Sequence, residues 1–211
     1  MNIKHFIKKH ILRREDYSKV HSIETITQNI VEAHRILDSI KVKHWLTDGT
    51  LLGYYRDGKI FDHEKDADFG VFIEDYNEKI IDAFIQKGWR LYYVFGKLSL
   101  GFELTFSKDG EHIDLFFFYK DEDRAWHAAW QTIKKKKTNL IKYYYDKFEL
   151  KETEFLGEKF LIPSDTEYYI ETKYGKDWRI PVKKWDWAYG PKNAVKTDIF
   201  LKRNKKKKII N

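Results

Sequence analysis

The chain has 211 residues, 42% hydrophobic and 17% aromatic, with seven Trp and only three Pro; it is long enough to bury a substantial core and too aromatic for a disordered polymer. The formal net charge is +7 and Cys is absent, which excludes disulfides and thiolate metal sites and fits a reducing compartment. No apolar run approaches the roughly 18 residues of a membrane span, and MNIKHFIKKHILRRED lacks the apolar stretch of a signal peptide, so a soluble, cytoplasmic chain is expected.

In chain order, the first clear element is a helix over 22–41. Ile23, Ile26, Ile30, Ala33, Leu37 and Ile40 recur at three- and four-residue steps, and Ser22 is its N-cap candidate. VKHWL (42–46) reads as a short strand, and TDGTLLGYYRDG as a turn leading into a short helix. ADFGVFI is a second strand, and YNEKIIDAFIQKG a helix with Ile80, Ile81, Phe84 and Ile85 inward and Gly88 as its stop. KLSLGFELTFS and EHIDLFFFY flank KDG as a hairpin, and FELKETEFLGEKFLIP forms another around Gly157. PSDTEYYIETKYG is a helix in which Ser164 and Glu167 have capping-box spacing and Gly175 follows the last turn. No repeat or domain boundary is evident. The expected fold is α/β (α+β), one domain over 1–211 built on a mixed β-sheet flanked by helices, with basic extensions at 1–20 and 201–211.

The positive charge is patchy: IKKHILRR near the start, KKKK at 134–137 and LKRNKKKKII near the end. Such runs are commonly solvated tails; they also suit contact with an anionic membrane surface or nucleic acid.

HEKDADFGVFI poses the chemical question. Asp66 and Asp68 stand two apart on a strand and therefore point to one side. Like charges so close raise one another's pKa unless a cation neutralises them, and Mg²⁺ is commonly held by one or two carboxylates plus phosphate oxygens. Asp114, in HIDLFFF, is a lone acid before four apolar residues on another expected strand, where an acid is costly unless paired or coordinated. A neighbouring strand would bring it beside the first pair. Seventeen residues before Asp66, Gly49 and Thr50 occupy a strand-to-helix turn suited to a phosphate. Arg56 and Lys97 are candidate cationic contacts to phosphate, with solvated surface charge as the plain alternative. In GKDWRIPVKKWDW, the indoles are core or lid packing, or a platform on which Trp185 stacks a cytosine or sugar ring while Asp186 binds a hydroxyl. His63, His112 and His127 show no metal-ligand spacing.

A glycine–hydroxyl turn, a spacer, Asp-x-Asp on a strand and a later lone Asp resemble the nucleotidyltransferase superfold. Thr50 stands where Ser or Gly is usual, and the spacer is fifteen residues. More specifically, DGTLLGYYRDGKIFDHEKDADFGVFIEDY resembles the signature of the fukutin/LicD family, nearer its fukutin branch. The LicD-type pattern PWDDDID is here DHEKDAD, so Glu64 and Lys65 depart from it while Asp66 and Asp68 match. The likeness continues in IDLFFFY, in FGK (95–97) and in IPSDTEYYIETKYGKDWRIPVKKWDW, covering about residues 40–190.

The resemblance implies transfer of a phosphorylated alcohol from a CDP-activated donor (CDP-ribitol, CDP-glycerol or CDP-choline) to the hydroxyl of a glycan or lipid-linked glycan, with Mg²⁺ or Mn²⁺. It implies that Asp66 and Asp68 bind metal, that Asp114 completes the site or acts as base, and that Gly49 and Thr50 hold donor phosphate. The context would be cell-surface polysaccharide or capsule synthesis, with the basic ends at the inner membrane leaflet. The alternative enzyme passes an NMP to a small molecule, protein or RNA through the same acids. A nucleic-acid-binding module would need only the basic charge, but the acid cluster and the lack of a nucleic-acid motif argue against it.

Overall fold

The computed structural model describes residues 22–134, 137–202 and 209–210. The basic stretch at 1–20, the middle of the KKKK run and most of the C-terminal tail lie outside them. Helix α1 (Ile23–Ser39) leads to β1 (His44–Leu46), α2 (Asp48–Asp57), β2 (Asp66–Phe72) and α3 (Lys79–Gln86). Then come β3 (Arg90–Lys97), β4 (Leu100–Lys108), β5 (Glu111–Lys120), β6 (Arg124–Lys134), β7 (Lys137–Asp146), β8 (Leu150–Phe155), β9 (Glu158–Pro163) and α4 (Thr166–Tyr174). Strands β10 (Ala194–Lys202) and β11 (Ile209–Ile210) follow. Among the described residues no helix is long and apolar enough to cross a membrane.

The sheet is mixed, as its sequence indicated. Nine strands join through the path β10-β7-β6-β5-β4-β3-β11, with β2 pairing to both β1 and β5. β2 and β5 run parallel and β4 lies antiparallel to β5. β5 is the pivot: its first part pairs with β2 and β4, while Tyr119 and Lys120 at its end pair with β6. β8 and β9 form a separate hairpin.

Strand alternation divides the chemistry between the two faces of this sheet. Ala67, Phe69, Val71, Phe106, Ile113, Leu115 and Phe117 turn to one side, all fully buried. Helices α1 and α3 cover that side: α1 buries Ile26, Ile30, Ala33 and Leu37, and Phe84 of α3 stacks on Phe106 at 4.1 Å. The alternate residues, Asp66, Asp68 and Asp114 among them, are left for the opposite face.

Local signals place most of these elements. Ser22 caps α1, its hydroxyl accepting from the Thr25 N–H. The turns Asp109–Gly110 and Leu156–Gly157 both have positive φ at both residues, the type I′ geometry that joins twisted antiparallel strands. At α4 the cap is Asp165, whose carboxylate accepts from the Tyr168 N–H, rather than Ser164. The sequence pattern places the helix one residue early because Ser and Asp are equally good caps. Ile85 is half-buried rather than core.

One close approach fixes how β1 meets β2. Trp45 lies across from Gly70, and a Cβ on Gly70 would come within 2.3 Å of the indole. The missing side chain lets Trp45 lie flat across β2 and pack edge-on against Phe118 at 4.9 Å.

Candidate active site

The acids converge as β2 and β5 pair. Parallel register sets Asp68 opposite Asp114, and antiparallel register sets Asp114 opposite Thr105 of β4, so the three form one row across the sheet. Thr105 donates its hydroxyl proton to Asp114 Oδ1. Asp66, one pleat back on β2, lines the same cavity of about 440 Å³, together with Asp48, Glu64, Glu103, His127, Tyr143, Lys173, Tyr174, Trp185 and Trp187.

Gly49 and Thr50 open α2 directly behind this row. The Gly49 N–H donates to Asp68 Oδ2 at 2.9 Å, and the Asp68 N–H donates to the Thr50 hydroxyl at 2.8 Å. Thr50 is buried, so it braces β2 against α2 from below, while Gly49 lines the cavity. A Cβ at Gly49 would sit 2.7 Å from Glu64 Oε1 and 3.3 Å from Asp68 Oδ2. Glycine here keeps the helix N-terminus open to the cavity.

Crowding shows in the protonation equilibria. Burial first, then the charges of Asp66, Asp48, Asp114 and Glu64, hold the Asp68 carboxyl well above the usual carboxylate range. Burial and then Asp66 push Asp114 up to about 7. Burial also raises Asp66, and it raises Glu103, which lies beside Asp114. A set of oxygen donors that repel one another this strongly suits a hard divalent cation, so the residues fit the Mg²⁺ or Mn²⁺ that such a site implies.

Two functional candidates, Lys173 and Asp48, went unread in the sequence, and a third, His127, was read only as lacking metal-ligand spacing. Lys173 on α4 reaches into the cavity, 7% exposed, with Nζ 2.5 Å from Asp48 Oδ1 and 4.9 Å from the Tyr143 ring centre. His127, fully buried on β6, has Nε2 3.6 Å from Asp48 Oδ2. Asp48 opens α2 in the left-handed region, at φ 47°. Although burial pushes its carboxyl up, Lys173 and His127 hold it well below the usual range. Burial keeps His127 low, hence neutral near pH 7. The sequence signal for β6 was present in the alternation of Trp126, Ala128 and Trp130; nothing local marked Lys173, which is one of many lysines.

Other candidates lie elsewhere. Arg56 donates to Asp57 at 2.9 and 3.0 Å and stacks on Phe61, lining a second cavity of about 460 Å³ that shares Gly49, Glu64, Tyr174 and Trp185 with the first. Trp185 packs against Tyr174 at 5.0 Å and so stands between the two cavities. Lys97 is exposed at the end of β3 and lines neither. Asp186 is exposed, and its carboxylate accepts from the Ala188 and Tyr189 N–H groups, forming a turn rather than a wall of the site. Of the indoles, Trp178 is buried, while Trp185 and Trp187 are exposed.

Residues 41–165 match the family described as LicD/FKTN/FKRP, nucleotidyltransferase domain. The chain belongs to this family. Among similar family members, a protein of Homo sapiens named ribitol-5-phosphate transferase FKTN is 43% identical over 169 residues, covering 80% of this chain and 36% of the relative. Its Mus musculus counterpart is 41% identical over the same length and with the same coverage. An uncharacterised protein of Caenorhabditis elegans is 29% identical over 171 residues, covering 77% of this chain and 44% of the relative. The chain thus spans 36% of the length of the FKTN relatives it matches. The family-model match, residues 41–165, contains Asp48, Gly49, Asp66, Asp68 and Asp114.

Proposed function

We propose that this chain is a metal-dependent phosphotransferase that moves a phosphorylated alcohol from a CDP-activated donor to a glycan hydroxyl. Ribitol phosphate is the first candidate cargo, by similarity to the FKTN relatives, with glycerol phosphate and phosphocholine as the other family-type cargoes. The observation that carries the reading is the row Asp68–Asp114–Thr105, flanked by Asp66, facing a cavity at a helix N-terminus.

In the reaction, the acceptor hydroxyl oxygen attacks the phosphorus bearing the alcohol. The bond from that phosphorus to the bridging oxygen breaks, and CMP leaves with that oxygen. Such transfers depend on positioning and on neutralising phosphate charge. Asp66, Asp68 and Asp114 would hold Mg²⁺ or Mn²⁺, which supplies charge neutralisation at the diphosphate. Lys173 is the buried cation of the cavity and is placed to meet phosphate oxygens. Where Asp114 stays off the ion, it is instead the residue that receives the acceptor's proton. The Thr105 hydroxyl fixes its orientation. Trp185 stands where a base or sugar ring would stack. The basic ends suggest work at an anionic membrane surface, on lipid-linked glycan.

The test is incubation with CDP-ribitol, CDP-glycerol or CDP-choline, Mg²⁺ and a glycan acceptor, with CMP release as the readout. Acceptor-dependent CMP from one donor is expected. No release from any CDP donor, with incorporation from a labelled NTP instead, would replace this reading with nucleotidyl transfer.

A further inference from the structure

On the phosphotransferase reading above, on which this inference rests, we propose that Glu103 recognises the transferred alcohol. Its carboxylate binds the hydroxyls of a polyol whose phosphate lies at Asp66, Asp68 and Asp114.

The register of β4 places this side chain. Thr105 opposes Asp114, and two residues earlier Glu103 opposes Phe116 of β5 on one side and Phe95 of β3 on the other. Side chains two apart on a strand share a face. Phe95, Glu103 and Phe116 therefore form a second row beside the acid row, and all three line the same cavity. Diagonal neighbours on paired strands lie about 7–8 Å apart, so Glu103 stands one row away from Asp114. A short polyol spans such an offset from its own phosphorus. The cation and diphosphate would occupy the first row, and the carbon chain would run toward the second.

Glu103 is only 8% exposed, and its neighbours in the row are rings. Among the described residues no hydrogen bond or ion pair reaches its carboxylate. The charges that act on it, Asp114 and Asp48, are both acids. Lys173, a buried cation of the cavity, is held by Asp48 instead. A buried acid without donors is costly, so Glu103 is an acceptor left open to a ligand. Hydroxyl groups are the donors it needs. Two on neighbouring carbons can meet its two oxygens while the C–H groups of the chain lie against Phe95 and Phe116. The trimethylammonium group of choline would find the rings and the charge, but it has no hydrogen to donate and would leave the carboxylate oxygens unpaired. Ribitol or glycerol phosphate is thereby favoured over phosphocholine.

The test is calorimetry in saturating Mg²⁺, without acceptor, of CDP-ribitol, CDP-glycerol and CDP-choline binding to the unmutated chain, Glu103→Leu and Glu103→Gln. Glu103→Leu removes an unpaired buried acid, so its melting temperature should equal or exceed that of the unmutated chain. It should bind CDP-ribitol about 10- to 100-fold more weakly, the scale of hydrogen bonds to a charged group, and CDP-choline within about twofold of the unmutated chain. Glu103→Gln, which keeps a carbonyl acceptor, should recover part of the CDP-ribitol affinity. An equal loss for CDP-ribitol and CDP-choline would overturn the proposal, because Glu103 would then serve the shared diphosphate or its cation. Unchanged CDP-ribitol affinity in Glu103→Leu would also overturn it, while leaving the phosphotransferase reading intact. Failure of all three CDP compounds to bind the unmutated chain would instead bring down that reading, and this inference with it.

Discussion

Lys173 Nζ lies 2.5 Å from Asp48 Oδ1, and both side chains are about nine-tenths buried. This ion pair ties the last turn of α4 to the first residue of α2, beside the Gly49 N–H that holds Asp68. It is a long-range contact between residues 125 positions apart, and it secures the helix N-terminus on which the acid row leans.

Breaking only one side of this pair leaves a buried charge alone. Lys173→Met should cost about 3–5 kcal/mol, lowering the melting temperature by roughly 6–20 °C for a chain of this size. The double variant Asp48→Asn/Lys173→Met should recover most of that loss while remaining poor in CMP release. Equal melting temperatures for the single and double variants would show that the pair is not coupled.

Asp66→Asn and Asp68→Asn should each lower CMP release by about 10³-fold, the scale seen when a preorganised electrostatic contact is removed. Without Mg²⁺ their melting temperatures should equal or exceed that of the unmutated chain, because like-charge repulsion is relieved. Full activity in either variant would refute the metal assignment.

The raised Asp114 carboxyl makes stability depend on pH in a definite direction. Its proton is bound more tightly folded than unfolded, so its contribution is complete below the unfolded value of 3.8 and disappears as pH rises through about 7. Depressed His44 works the other way, with its loss beginning only as pH falls below 6.5. As pH rises towards about 7, the Mg²⁺-free chain should therefore lose melting temperature relative to Asp114→Asn, and above that value the two curves should run parallel. Thermal scans of the two proteins side by side check this, and curves parallel at every pH would remove Asp114 as the source.

Gly70→Ala would drive a methyl group into the Trp45 indole from a fully packed strand. A loss of about 1–3 kcal/mol is expected, measured by urea unfolding. Trp45→Leu in the same chain should recover part of it, since the smaller side chain vacates the contact.

Much of the architecture was legible locally. The apolar stripe of α1, the I′ turns at Asp109–Gly110 and Leu156–Gly157, and the Asp66/Asp68 pair are all short-range patterns. Strands β3, β6, β7 and β10 escaped for different reasons: β3 is a continuous apolar run without alternation, the alternation of Trp126, Ala128 and Trp130 in β6 is interrupted by Ala125 and Ala129, and in β7 and β10 Lys and Thr blur a period of two. Arg56, Lys97 and Asp186 carry side-chain types common at phosphate and sugar sites, but side-chain type does not say which way a surface residue faces. Arg56 is turned to Asp57, Lys97 stands at an exposed strand end, and Asp186 closes a turn.

The sequence by itself determined the mixed α and β composition, the acid pair on one strand and the lone acid on another, because strand alternation and burial costs act over a few residues. Only the tertiary structure decided that Asp68 and Asp114 share a register and that Lys173 returns from α4 to meet Asp48. Those pairings join residues far apart in the chain, and they are set by strand order and helix packing, which no local pattern encodes.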